Sequence, residues 1–154
     1  LIYIMMKVRR IKKEIEKDWV TDLNNIRFLD FKNNIATFFL YINKNYHCTV
    51  TLNFKDLDYP FVGPQVFINN YSYLSILKTD TKSFKKNITS VNCCLYCESI
   101  LCYDNWRATF TMKHILDEIY DNLTLKLRMN EIRHCRKIVE KCLKIDYVPI
   151  EEFL

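Results

Sequence analysis

The sequence predicts an α+β domain: an N-terminal helix, a four-stranded antiparallel meander, an irregular cysteine-bearing stretch and C-terminal helices. Three observations carry this. Ile4, Val8, Ile11, Ile15 and Trp19 recur every three to four residues with Lys and Arg between them, an amphipathic helix over about residues 4–20. Ile26 to Phe31, Ile35 to Ile42 and His47 to Phe54 alternate apolar with polar residues and are separated by short Asn-rich turns. Met112, Ile115, Leu116, Ile119 and Leu123 then form a helical stripe that Ile132, Cys135, Ile138, Val139 and Cys142 continue.

The remaining elements follow in order. In "DYPFVGPQVFINN", Asp58 to Asn70, two prolines and the only glycine of the chain fix an extended, turning segment. "QVFI" after it reads as the fourth strand. Residues 71–89 are weakly periodic; Tyr71, Leu74 and Leu77 suit a short helix, and the lysine-rich remainder reads as loop. Thr111 is a candidate N-cap for the stripe that follows. No Gly or Pro interrupts that stripe, so two helices broken near residues 122–127, or one bent helix, are expected. No linker, repeat or low-complexity segment divides the chain. The expectation is a single domain over residues 5–145 and a tail over 146–154.

The 154 residues are 49% hydrophobic, enough to build a core, and 27% charged. One glycine against an average usage of roughly 7% is low. With abundant Lys, Asn, Ile, Tyr and Phe it fits an AT-rich genome, of the kind many DNA viruses and parasites carry. The net charge of +5 is mild, and "KVRRIKK", Lys7 to Lys13, lies inside a helical pattern without a nucleic-acid-reading signature. No nucleic-acid partner is therefore expected. "LIYIMM" is too short for a signal core or a membrane span, and Met5 or Met6 is a candidate initiator. A cytoplasmic or nuclear, reducing setting without membrane attachment is expected. Seven cysteines there are thiols or ligands before they are disulfides, and the sequons at Asn87 and Asn122 carry no meaning.

Four of those cysteines crowd into "CCLYCESILCYDNW", Cys93 to Trp106. Cys94-x2-Cys97 has zinc-knuckle spacing, with Cys93, Cys102, His114 or the His47–Cys48 pair as further donors, but no second such pair exists. The expectation is no metal. Cys135 and Cys142, on the apolar face of a helix, are expected to be buried, and Cys48 to be packed in its strand. His114 and His134 are expected on helix surfaces.

Three blocks, "MKVRRIKKEIEKDW", "YPFVGPQV" and "CESILCYDNWRATFTMKHILDEI", resemble ubiquitin-conjugating enzymes in order and rough spacing over about residues 5–145. The resemblance implies that fold and acyl transfer through a cysteine thioester, with no cofactor. Its partners would be ubiquitin or a ubiquitin-like protein, an activating enzyme and a ubiquitin ligase. A thiolate suits the task because it is intrinsically nucleophilic and its thioester stays reactive toward amines. The family's upstream "His-Pro-Asn" motif is not intact; Asn87, in "KKNI", stands nearest to its Asn, whose amide would support the developing oxyanion. Residues 71–84 read as an insertion, the "G-P" turn between the first two strands is missing, and "WRAT" lacks the family's proline. These departures open the alternative of a catalytically inactive variant that binds ubiquitin or a ligase.

Two registers compete for the nucleophile. Cys94 precedes a leucine, as in the family, and lies seven residues after Asn87. Cys97 begins "CESIL" and lies nine residues before Trp106, closer to the family's spacing. The resemblance also implies that Phe61 meets a ligase. It implies that Arg9, Arg10, Lys12 and Lys13 meet the activating enzyme, although a solvated basic face is the preferred reading of them. Tyr59, Pro60 and Trp106 match structural positions, and Asp104 and Asn105 flank the site.

Overall fold

A computed structural model of the chain describes residues 2–16, 25–55, 58–87 and 94–143. Helix α1 spans Ile2–Ile15. Strands β1 (Ile26–Lys32), β2 (Ile35–Asn43), β3 (Tyr46–Asn53), β4 (Gln65–Ile68) and β5 (Tyr71–Ser72) form one sheet in sequential order. Every neighbouring pair is antiparallel. Helix α2 (Tyr73–Asn87), the single turn α3 (Leu95–Glu98) and the long helix α4 (Met112–Leu143) follow. The α+β class and the meander are as expected, with β5 as an added two-residue strand. Trp19 and the tail over 146–154 lie outside the described residues.

The turns explain how a chain with one glycine makes a tight meander. Two-residue hairpins of type I′ need positive φ at both central positions, and Asn tolerates that conformation better than other side chains. Asn33 (φ 52°) and Asn34 (φ 61°) join β1 to β2, and Asn69 (φ 48°) and Asn70 (φ 70°) join β4 to β5. Between β2 and β3 the Asn43 side chain accepts the Asn45 N–H at 2.9 Å, a local Asx turn.

One sheet face carries the core. Ala36, Phe38 and Leu40 of β2 and Val50 and Leu52 of β3 are fully buried, alternating with half-exposed Thr37, Phe39, Thr49 and Thr51. Ile11 of α1 and Met112, Ile115, Leu116 and Ile119 of α4 are buried in the same cluster. A bulge at Leu29 lets Phe28 pair with Phe38 and Asp30 with Thr37, so β1 keeps Phe28 against the Phe38 ring at 5.6 Å.

Two local expectations are corrected, and the choice between two C-terminal helices and one is resolved. The lysine-rich segment after residue 77 is not a loop but the second half of α2. Tyr73, Leu77 and Thr81 repeat every four residues and are buried, which gives this helix a packed face. Lys and Leu also favour helix, and neither Gly nor Pro intervenes. The C-terminal stripe is one helix of 32 residues, unbroken at 122–127, where Asn122 donates to the Tyr73 hydroxyl at 2.6 Å. Cys135 and Cys142 are exposed rather than buried, because α4 runs on past the core and Met129 is its last buried residue. Cys48 is buried, as expected, and His114 and His134 are exposed.

Candidate functional site

The cysteine stretch is built as a series of short turns. Cys94 leads into α3 with extended backbone (φ −111°, ψ 97°), and its carbonyl accepts the Glu98 N–H at 3.0 Å. The Ser99 carbonyl accepts from Cys102 N–H at 3.0 Å, and the Cys102 carbonyl accepts from Asn105 and Trp106 N–H at 2.9 and 3.1 Å. Each cysteine from 94 to 102 therefore sits on backbone fixed by its neighbours. Cys94 and Cys102 are half-buried and Cys97 is exposed.

Two side chains tie these turns to the rest of the molecule. Asn105 Nδ2 donates to the Cys97 carbonyl at 2.6 Å and to the Ser99 carbonyl at 3.0 Å. Glu118, on α4, accepts the Ser99 hydroxyl at 2.7 Å, the Ile100 N–H at 2.7 Å and the Tyr73 hydroxyl at 3.0 Å. Ser99 is only 2% exposed, and its hydroxyl also accepts the Leu101 N–H at 3.1 Å. Burial first, then the Glu118 charge, push the Tyr73 phenol well above its ordinary pKa, so it stays a neutral donor.

The proline segment docks onto the end of the cysteine stretch. The Trp106 indole N–H donates to the Pro60 carbonyl at 2.8 Å, and its ring approaches those of Tyr59 and Phe110. Gly63 lies against that ring: an added Cβ would stand 3.0 Å from Trp106 Cδ2 and Cε3. Tyr59 is held from behind by Glu14 of α1, whose carboxylate oxygens accept its hydroxyl at 2.9 and 2.8 Å. Burial first, then Glu14, push the Tyr59 phenol well above its ordinary range. Glu14 also accepts the Met112 N–H at 2.9 Å, supplying a carboxylate cap to the N-terminus of α4. Thr111 does precede that helix, but its hydroxyl meets His114 Nδ1 at 2.8 Å.

Phe61 is 66% exposed and Tyr103 90%. With Val62, Leu74, Tyr96 and Trp106 they line an open groove of about 560 Å³ beside the cysteine turns. Helix α2 reaches the same place, since Lys78 Nζ stands 4.4 Å above the Tyr96 ring. Arg9, Lys12 and Lys13 are exposed. Arg10 turns inward: it pairs with Glu14 at 2.9 Å, donates to the carbonyls of Ala108 and Phe110, and covers the Tyr59 ring. Asn87 is the last residue of α2, and its side chain, like Cys93, lies outside the described residues. Among the described residues no group of three His, Cys, Asp or Glu side chains is placed to hold a metal ion.

Glu14, Tyr73, Ser99 and Glu118 are the connecting residues that sequence reasoning missed. The available signal was an acid within an apolar stripe: Glu14 between Ile11 and Ile15, and Glu118 beside Ile115 and Ile119. No protein-family model, curated protein or solved structure matches this chain. Among the described residues no helix is long and apolar enough to cross a membrane.

Proposed function

We propose that the chain is a ubiquitin-conjugating-enzyme-like protein that carries ubiquitin or a ubiquitin-like protein as a cysteine thioester and passes it to a lysine. The observation that carries this reading is the Trp106–Pro60 hydrogen bond with Gly63 packed beneath the ring. Through it, the "YPFVGP" block and the cysteine–tryptophan block, on which the sequence resemblance rests, meet in space. A cysteine thiolate of this stretch attacks the carbonyl carbon of the thioester on an activating enzyme, whose thiolate leaves. A lysine amine then attacks the new thioester and the cysteine thiolate leaves in turn. Cys94 or Cys97 is the nucleophile, Asn87 the candidate oxyanion donor, and exposed Phe61 the contact for a ligase. Arg9 and Lys13 offer charge to the activating enzyme, whereas Arg10 serves the scaffold.

A second reading is a catalytically inactive variant acting as a ubiquitin- or ligase-binding module. It is favoured by α2, a 15-residue helix that occupies the chain between β5 and the cysteines and ends at Asn87. The two readings separate in one assay. Activating enzyme, ATP and a ubiquitin-like protein should give a thiol-reducible adduct, and Ser at the true acyl carrier, Cys94→Ser or Cys97→Ser, should trap a reductant-stable ester. Ubiquitin or ligase binding without any adduct selects the second reading.

A further inference from the structure

The acyl-transfer reading uses one of Cys94 and Cys97 and leaves the other without a task. Their placement supplies one. Cys94 leads into α3 and Cys97 is the third residue of its single turn, with the Cys94 carbonyl closing that turn on Glu98 N–H. Residues three apart on a helical turn have Cα atoms about 5 Å apart. Bridged cysteines span about 4.4–6.8 Å. The side chain leading into a helix also reaches over the backbone of the third helical residue, the relation that capping boxes use. Asn105 on the Cys97 carbonyl and Glu118 on Ser99 and Ile100 hold the far end of the turn, so the backbone spacing of the two cysteines is fixed by the fold. Exposure is graded, with Cys97 exposed and Cys94 half-buried.

We infer that Cys94 and Cys97 form a reversible dithiol–disulfide pair whose oxidant is a low-molecular-weight disulfide such as glutathione disulfide. The exposed Cys97 thiolate attacks one sulfur of glutathione disulfide, forming a mixed disulfide and releasing one glutathione thiolate. The Cys94 thiolate then attacks the Cys97 sulfur, forming the internal bond and releasing the second glutathione thiolate. Two electrons pass from the protein to glutathione disulfide, and the two protons from the protein thiols end on the two glutathiones. A bridged sulfur cannot carry an acyl group, so the bridge switches off the carrier whichever of the two cysteines it is. That consequence rests on the acyl-transfer reading; the bridge itself does not.

The test equilibrates the reduced full chain in a glutathione/glutathione-disulfide series, alkylates the remaining thiols, and reads intact mass and fragment spectra. The expected result is joint loss of the Cys94 and Cys97 thiols, a mass lower by two hydrogens, and recovery with a dithiol reductant. Cys93→Ser and Cys102→Ser should keep the bridge, and Cys94→Ser should instead retain a glutathione adduct on Cys97. Persistent glutathione adducts on the wild type, a bridge lost in either control variant, or thiols that stay reduced in glutathione disulfide alone would overturn the inference. Running the thioester assay on the same samples keeps the two ideas apart. A bridge without any adduct under reducing conditions leaves this inference standing and sinks acyl transfer. An adduct without a bridge does the reverse.

Discussion

Two carboxylates, Glu14 buried and Glu118 half-buried, divide the molecule between them. Glu14 joins α1, the proline segment and the start of α4, while Glu118 joins α4, the start of α2 and the cysteine turns. Both accept a buried tyrosine hydroxyl and a backbone N–H. They differ in charge balance. Glu14 is 4% exposed and pairs with Arg10 at 2.9 Å, whereas Glu118 makes no ion pair among the described residues and relies on neutral donors. They also differ in what they hold. Glu14 locks elements around the core, and Glu118 locks the stretch that bears the candidate nucleophiles. The lesson is that scaffold and site are fastened separately, so one can be loosened without the other.

Breaking the Glu14 hub should have the largest effect. Glu14→Ala strands the Arg10 guanidinium, the Tyr59 hydroxyl and the Met112 N–H, and should cost about 3–5 kcal/mol. Denaturant unfolding should show a lower midpoint with an unchanged slope. Glu118→Gln should cost less, about 1–3 kcal/mol, because only hydrogen bonds to neutral donors weaken. Its signature should be local: faster hydrogen exchange at Ile100 and Leu101, with exchange in β2 and β3 preserved.

Alkali offers a third contrast. Burial pushes the Cys48 thiol up to about 11, and the Tyr59 and Tyr73 phenols are raised as well. These groups are held in their protonated forms in the folded state. Stability should therefore be complete below about pH 9, the ordinary thiol range, and fall as pH rises through about 11. A pH series of thermal midpoints reads this, and a flat profile to pH 11 would contradict it. The smallest stability effect belongs to the exposed basic face of α1. Arg9→Ala and Lys13→Ala should each stay within about 0.5 kcal/mol of the parent chain. Loading by an activating enzyme should nevertheless slow in both, with a shallower salt dependence than in the parent chain.

The same division explains what the sequence revealed. Strands β2 to β4 were legible because Val50, Leu52 and Phe54 alternate with polar residues and Asn pairs mark the turns. The Trp106–proline contact was legible only through resemblance. The second half of α2 was hidden because the last residue described on its buried face, Thr81, is polar and stands among lysines, so hydropathy alone offers no stripe. The exposure of Cys135 and Cys142 was hidden because a helical pattern does not say where the core stops. Glu14 and Glu118 were hidden for a related reason: a carboxylate becomes a hub only when distant donors converge on it, across up to 98 positions of chain in the case of Met112.

The central claim is that Cys94 or Cys97 carries an acyl group. Its most direct test is the intact mass of the reduced wild-type chain after incubation with activating enzyme, ATP and ubiquitin or a ubiquitin-like protein. The account predicts a gain of one modifier mass, lost on adding thiol and absent when Cys94 and Cys97 are both Ala. A folded chain that gains no modifier from any activating system, or gains it equally without both cysteines, would contradict it.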